Sequence, residues 1–72
     1  MRKGYWCHDR AMDVFIEVRK VYDIHPRYIK AKVCWYNRGY TDKPWYLLSQ
    51  VIKIQKKDLK HWYPVNELGH RS

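Results

Sequence analysis

Alternating apolar and polar residues are the clearest pattern in this chain, and the alternation is most regular in residues 28–36. Every second position is apolar: Ile29, Ala31, Val33 and Trp35. The positions between them carry two lysines, one cysteine and two flanking tyrosines: Tyr28, Lys30, Lys32, Cys34 and Tyr36. Successive side chains of a β-strand leave opposite faces of the sheet. The stretch therefore predicts a strand with Trp35 in the core and a stripe of lysines and tyrosines on the other face.

The preceding segment predicts a second, long strand over residues 11–24. Its even-numbered positions are mostly apolar and include Ile16, Val18 and Tyr22, which the alternation assigns to one face. Lys20 and Val21 interrupt the alternation, and such a break is typical of a β-bulge. Proline fixes its own φ and keeps the preceding residue out of the helical region, so residues 25–27 (His-Pro-Arg) predict a turn. The two strands are expected to form an antiparallel hairpin.

The second half of the chain predicts a loop, a strand, a short helical turn and a closing strand. Residues 37–44 contain Asn, Gly, Asp and Pro, which favour a loop. Residues 45–55 predict a strand that is apolar on both parities, which indicates either a bulge near Ser49 and Gln50 or a central strand covered on both faces. Residues 56–61 are typical of a tight turn or one turn of 3₁₀ helix. In the closing strand, residues 62–65, Pro64 favours a sheet edge.

Together these elements predict an all-β fold with four or five antiparallel strands. The order of long hairpin, loop, strand, 3₁₀ turn and short last strand resembles the architecture of the SH3-like barrels, which include the Tudor and KOW modules. An OB-like barrel and an open antiparallel sheet are the alternatives. The predicted domain spans residues 11–65, with residues 1–10 as an N-terminal arm or edge strand and residues 66–72 as a flexible C-terminal tail.

Size and composition indicate a single domain with a thin margin of stability. A chain of 72 residues buries only about 60% of the surface that its unfolded form exposes. Aromatic residues make up 17% of the chain and bury large areas each, which offsets the small core. So small a core also gains from association with a second copy, and a homodimer is compatible with either predicted function.

The charge balance favours a polyanionic or acidic partner. Fifteen Lys and Arg residues against seven Asp and Glu give a net charge of +8. Such a field suits phosphate backbones and acidic protein surfaces. Residues 1–10 lack the apolar run of a signal peptide, and no apolar run approaches the roughly 20 residues that span a bilayer. Two cysteines are too few for a typical secreted disulfide scaffold. We expect a non-secreted protein of the cytoplasm or nucleoid, with free thiols and no membrane partner.

Lysines and tyrosines on adjacent predicted elements form the candidate functional site. Lysines bind phosphates through counterion release, and aromatic rings stack on bases with little sequence preference. The candidate nucleic-acid-binding residues are Tyr28, Lys30, Lys32, Tyr36, Arg38, Tyr40, Lys43, Lys53, Lys56 and Lys57. The sequence therefore predicts a DNA- or RNA-binding module of low sequence specificity. The alternative is a protein-interaction module, an adaptor or inhibitor, that docks an acidic protein.

Other kinds of site have little support in the sequence. The histidines and cysteines show no spacing typical of a metal site, and there is no glycine-rich phosphate loop. Cys34 lies in the middle of a predicted strand, away from any loop that would supply an oxyanion hole. We therefore expect no enzymatic activity, no metal and no cofactor.

Overall fold

The structure, a computed structural model, describes residues 1–11, 13–39 and 43–71. It contains β1 (Gly4–His8), β2 (Val14–Tyr22), β3 (Tyr28–Asn37), β4 (Trp45–Gln55), a 3₁₀ helix (Lys56–His61) and β5 (Trp62–Val65). The strands pair antiparallel in one sheet of order β4-β3-β2-β1-β5. The all-β prediction, the hairpin of β2 and β3 and the 3₁₀ segment are confirmed.

The sheet is open, because the outer strands β4 and β5 are not paired with each other in the described part of the chain. This agrees with the open-sheet alternative and not with a closed barrel. β4 was expected either to carry a bulge near Ser49 and Gln50 or to be a central strand, and it is an outer strand. Its register shifts at Leu47, since Trp35 pairs with Leu48 while Tyr36 pairs with Tyr46. β4 is thus apolar on both faces although it lies at the edge of the sheet, and its large side chains are exposed. β1, expected as an arm or edge strand, lies between β2 and β5.

A bulge in β2 changes which residues point into the core. Val18 pairs with Val33, but the next pair joins Lys20 to Lys32, so Arg19 is the extra residue. The predicted break in the alternation is therefore a bulge. Because one residue is inserted, odd-numbered side chains of β2 face the core after the bulge and even-numbered ones face the other side. Tyr22, assigned by its parity to the side of Ile16 and Val18, consequently lies on the opposite face.

One face of the sheet, termed the core face, carries the main hydrophobic cluster. Its fully buried members come from β2 and β3: Ile16, Val18, Ala31 and Val33. Partly buried side chains from the other strands and the N-terminus pack against them: Met1, Trp6, Val21, Trp35, Ile52 and Trp62. The prediction that Trp35 contributes to the core is confirmed. Removing this apolar surface from water is the main contribution to the stability of the sheet.

The C-terminal residues cover part of the opposite face. Asn66 accepts hydrogen bonds through its Oδ1 from the backbone N–H groups of Leu68 and His70, which shapes residues 66–70 into a turn. Gly69 lies against Phe15 so closely that an added Cβ would approach the Phe15 ring to 2.6 Å. Phe15 is buried as a result. Residues 66–71, expected to be a flexible tail, thus fold back onto β2.

The 3₁₀ helix connects the two outer strands, β4 and β5. Its first residue, Lys56, donates a backbone hydrogen bond to the carbonyl of Arg27 in the turn between β2 and β3 (2.8 Å). The helix has six residues. None of the helical segments among the described residues is long and apolar enough to cross a membrane.

Candidate nucleic-acid interface

Four lysines from three neighbouring strands lie together on one part of the face opposite the core face. With two adjacent tyrosines they form the patch termed here the lysine face, which consists of Lys20, Tyr22, Tyr28, Lys30, Lys32 and Lys53. Across the sheet, Lys20 of β2 pairs with Lys32 of β3, and Lys30 of β3 pairs with Lys53 of β4. Residues directly opposite each other in a sheet have their Cβ atoms about 5 Å apart. The two lysine pairs are two residues apart along β3, so the four side chains form a compact basic patch. All four lysines are exposed.

Two tyrosines lie within this patch. Tyr22 pairs with Lys30 across the sheet, and the Lys20 ammonium lies 5.2 Å from the centre of the Tyr22 ring. Tyr28 lies two residues before Lys30 on the same face of β3, and the Lys53 ammonium is 4.4 Å from the centre of the Tyr28 ring. His25 stacks on Tyr28 with ring centres 4.0 Å apart, which holds that ring in place. Tyr22 is 37% exposed, so its ring is more open to a ligand than the ring of Tyr28.

Like charges placed directly opposite each other destabilise a sheet, so the patch carries an electrostatic cost. Among the described residues, none of the four lysines makes an ion pair. The carboxylate at the end of β2, Asp23, pairs with Lys56 instead, with Oδ1 2.9 Å from Nζ. An anion bound between the lysine pairs would relieve the repulsion.

The structure brings together four of the residues predicted for the site and separates the rest. Tyr28, Lys30, Lys32 and Lys53 share the lysine face. Lys56 and Lys57 lie at the adjacent end of the sheet, where with Arg27 and Gln55 they line a shallow depression. Lys43 precedes β4 at the opposite end of the molecule. Tyr40 lies outside the described residues.

Tyr36 and Arg38 are packed at that opposite end, against residues that the C-terminal turn covers. The Tyr36 ring stacks on Phe15 with centres 5.5 Å apart. Burial, and next the Glu17 carboxylate, raise the pKa of Tyr36. The Arg38 guanidinium lies 3.5 Å from the sulfur of Cys7. Both side chains therefore serve the packing of this region, so we leave them out of the lysine face.

Lys20 and Tyr22 belong to the lysine face but were not predicted as site residues. The signal was present in the sequence, as the break in alternation at Lys20 and Val21. Beyond a bulge the face of every residue is reversed, and applying that rule would have placed Lys20 and Tyr22 beside Lys30 and Lys32.

A groove of about 640 Å³ opens on the core face between β4 and the 3₁₀ helix. Its walls include Trp35, Ile52 and Trp62, and its rim includes Lys57 and Lys60. Lys57 thus lies between this groove and the end of the lysine face.

A polar cluster ties β1 to the 3₁₀ helix. His8 Nε2 lies 3.2 Å from Asp58 Oδ2, and His61 Nδ1 lies 2.7 Å from Asp9 Oδ2. The hydrogen bond with His61 is the main cause that lowers the pKa of Asp9. Trp62 packs edge-on against the His8 ring at 5.0 Å. Across the described ranges, no group of three or more His, Cys, Asp or Glu side chains is arranged to hold a metal ion.

Comparison with protein-family models, curated proteins and solved structures finds no match to this chain.

Proposed function

We propose that the protein binds nucleic acid through the lysine face, with little dependence on base sequence. The observation that carries the proposal is the two cross-strand lysine pairs, Lys20 with Lys32 and Lys30 with Lys53, none of which makes an ion pair among the described residues. Like charges directly opposite each other destabilise the sheet slightly, and a bound polyanion would offset that repulsion. Phosphates bound there release counterions, which favours binding further.

The tyrosines support a single strand over a duplex as the preferred ligand. Tyr22 lies beside the lysines with part of its ring exposed, so a base displaced from the backbone would stack on it while its phosphates contact Lys20 and Lys30. Stacking of a base on an aromatic side chain contributes roughly 1–3 kcal/mol and tolerates any base. Bases within a duplex are already stacked and do not gain this contact.

The proposal also includes an SH3-like fold and a reducing cellular compartment. The order of elements supports an SH3-like fold whose outer strands stay apart. Cys7 and Cys34 are both unpaired, which supports a reducing compartment such as the cytoplasm. An acidic protein is the alternative ligand of the lysine face, since a cluster of carboxylates would satisfy the same four ammonium groups.

The decisive experiment is a fluorescence-anisotropy titration with short single- and double-stranded DNA and RNA at two salt concentrations. If four lysines each contact a phosphate of a single strand, log K falls with log salt with a slope of about −3, so a fourfold rise in salt weakens binding roughly 50-fold. Tyr22→Ala should weaken single-strand binding by a further factor of about 10 or more. Absence of binding at low salt would refute the proposal and leave the acidic protein.

Charge-matched variants locate the site. Lys30→Glu with Lys32→Glu should abolish binding, whereas Lys3→Glu with Lys60→Glu, at exposed positions off the lysine face, should retain most of it. Each double variant lowers the net charge from +8 by four, so a general effect of charge would weaken both alike. Equal loss in the two variants would contradict a defined site on the lysine face.

A further inference from the structure

β4 is the most exposed apolar element of the structure. Five of its large side chains are each between 46 and 59% exposed: Trp45, Tyr46, Leu47, Leu48 and Val51. They project from both faces of the strand, because Leu48 pairs with Trp35 on the core face and Val51 pairs with Lys32 on the lysine face. Isolated exposed apolar residues are ordinary, but a contiguous apolar patch marks an interaction surface.

The outer edge of β4 is also free to pair. β4 is 11 residues long and pairs with β3 on one side, and no described strand pairs with its other side. Its backbone N–H and C=O groups on that side are a template for a further strand. Residues 44–52 contain no charged side chain, although 31% of the chain is charged.

The two outer strands of the same sheet differ in how their edges are protected. β5 has four residues, and the exposed Pro64 lies among them. Short length and proline are both ways in which proteins prevent edge strands from pairing. β4 is nearly three times as long, and its first lysine is Lys53, close to its end. β5 therefore has both of these protections, whereas residues 45–52 of β4 contain neither a charged residue nor a proline, and the register shift at Leu47 is the one irregularity of that edge.

We infer that β4 pairs antiparallel with β4 of a second copy of this chain, over residues 45–51, to form a two-fold dimer with a continuous ten-stranded sheet. Identical antiparallel edges are self-complementary about a two-fold axis, so length and facing side chains match without further adaptation. The uncharged edge brings no lysine into the contact between two chains of charge +8. The same uncharged edge has no cationic side chain to attract an acidic protein, and such a protein would bind the lysine face instead.

The exposed area is sufficient for such a contact. A large side chain that is half exposed presents on the order of 100 Å², and five of them give roughly 500 Å² per copy. Two copies together then bury at most about 1,000 Å², which is the lower limit for a specific interface. The backbone hydrogen bonds between the two strands add to this apolar contact.

The test measures the mass of the full chain in solution, without nucleic acid, by sedimentation and light scattering over a wide range of concentrations. The wild-type chain should reach twice its mass of 9.0 kDa and rise no further. Leu48→Lys should weaken the dimer by at least about 100-fold, because it places an unpaired ammonium group of each copy in the contact. Ile24→Lys, the same kind of change at a side chain 86% exposed away from β4, should leave the dimer intact.

Further readouts keep the inference testable if Leu48→Lys folds poorly. Circular dichroism reports folding, and Trp45→Lys is a second variant at the start of the strand. Hydrogen exchange should show that the backbone amides of residues 45–51 that point away from β3, about every second one, are protected in the wild-type dimer and exposed in a folded monomeric variant, whereas the amides that donate to β3 stay protected in both. A wild-type chain that is monomeric at every concentration would overturn the inference and leave the strand to a different protein. A dimer that persists in both folded variants, or a mass that rises without limit, would overturn it as well.

Discussion

Reversing the charge of Lys30 should stabilise the fold while weakening nucleic-acid binding, and this opposition of effects tests the lysine face directly. Lys30→Glu replaces a repulsive contact with Lys53 by an attractive one. Measured opposite-charge pairs across strands contribute roughly 0.2–1 kcal/mol, and like charges directly opposite each other are destabilising. We expect a gain of about 0.5–1 kcal/mol at low salt.

The measurement is thermal unfolding followed by circular dichroism at low and at high salt. For a domain of this size, a gain of 0.5–1 kcal/mol corresponds to a rise in Tm of about 2–8 °C. The rise should shrink as salt is added, because the Debye length falls from about 30 Å at 0.01 M to 10 Å at 0.1 M. Lys3→Glu is the control, since it changes the net charge equally at an exposed residue outside the strands.

Two outcomes would contradict the predicted repulsion between the lysine pairs. If Lys30→Glu lowers Tm relative to Lys3→Glu at low salt, the lysine pairs do not repel each other as the register implies. If a rise in Tm is independent of salt, its origin is not electrostatic. Nucleic-acid binding is measured separately. Lys30→Glu should bind single-stranded nucleic acid at least about tenfold more weakly than the wild type, with a shallower dependence on salt.

Three further predictions concern the fold itself. Ile16→Ala should lower the free energy of unfolding by roughly 2–5 kcal/mol in urea titrations, because Ile16 is fully buried; Ile24→Ala is the exposed control, and an equal loss at both would contradict the core assignment. Gly69→Ala should cost about 1–3 kcal/mol, since the new methyl group meets Phe15 and the φ of +82° disfavours any side chain; unchanged stability would mean that the C-terminal turn does not pack there in solution. The pKa of Asp9 is lowered in the folded state, so its ionised carboxylate stabilises the fold above the unfolded-state pKa of about 3.8, and this stabilisation is lost as the pH falls below that value. Asp9→Asn should therefore lose less stability than the wild type between pH 5 and 2. A variant that keeps the wild-type acid dependence would assign the loss to other carboxylates.

The two proposals are independent but compatible in geometry. A two-fold axis between antiparallel β4 strands is perpendicular to the sheet, so it maps each face of the sheet onto the same face of the partner. The lysine faces of two copies would then lie on one side of the assembly. Because the dimer is tested without nucleic acid, and the binding is tested by variants outside residues 45–51, failure of either proposal leaves the other standing.

Local patterns in the sequence were sufficient to predict most of the individual elements of the sheet. Strict alternation in residues 28–36 was enough to predict β3, because only a strand separates neighbouring side chains onto two faces. Pro26 defined the turn before it, since proline restricts both its own backbone and that of the preceding residue. The limits of β4, the 3₁₀ helix and β5 also followed from local composition. The same alternation grouped Lys30 with Lys32 and Tyr28, which is half of the lysine face.

Which strands are neighbours, and which side chains stay accessible, depended on tertiary contacts. The break in alternation at Lys20 and Val21 indicated a bulge, but only the register with β3 shows that Arg19 is the inserted residue and that Lys20 and Tyr22 therefore lie on the lysine face. Packing of Gly69 on Phe15 brought residues from distant parts of the chain together and enclosed the region around Arg38. The exposure of β4 depends on its position at the edge of the sheet. Each of these outcomes is set by contacts between segments far apart in sequence, which a local pattern does not encode.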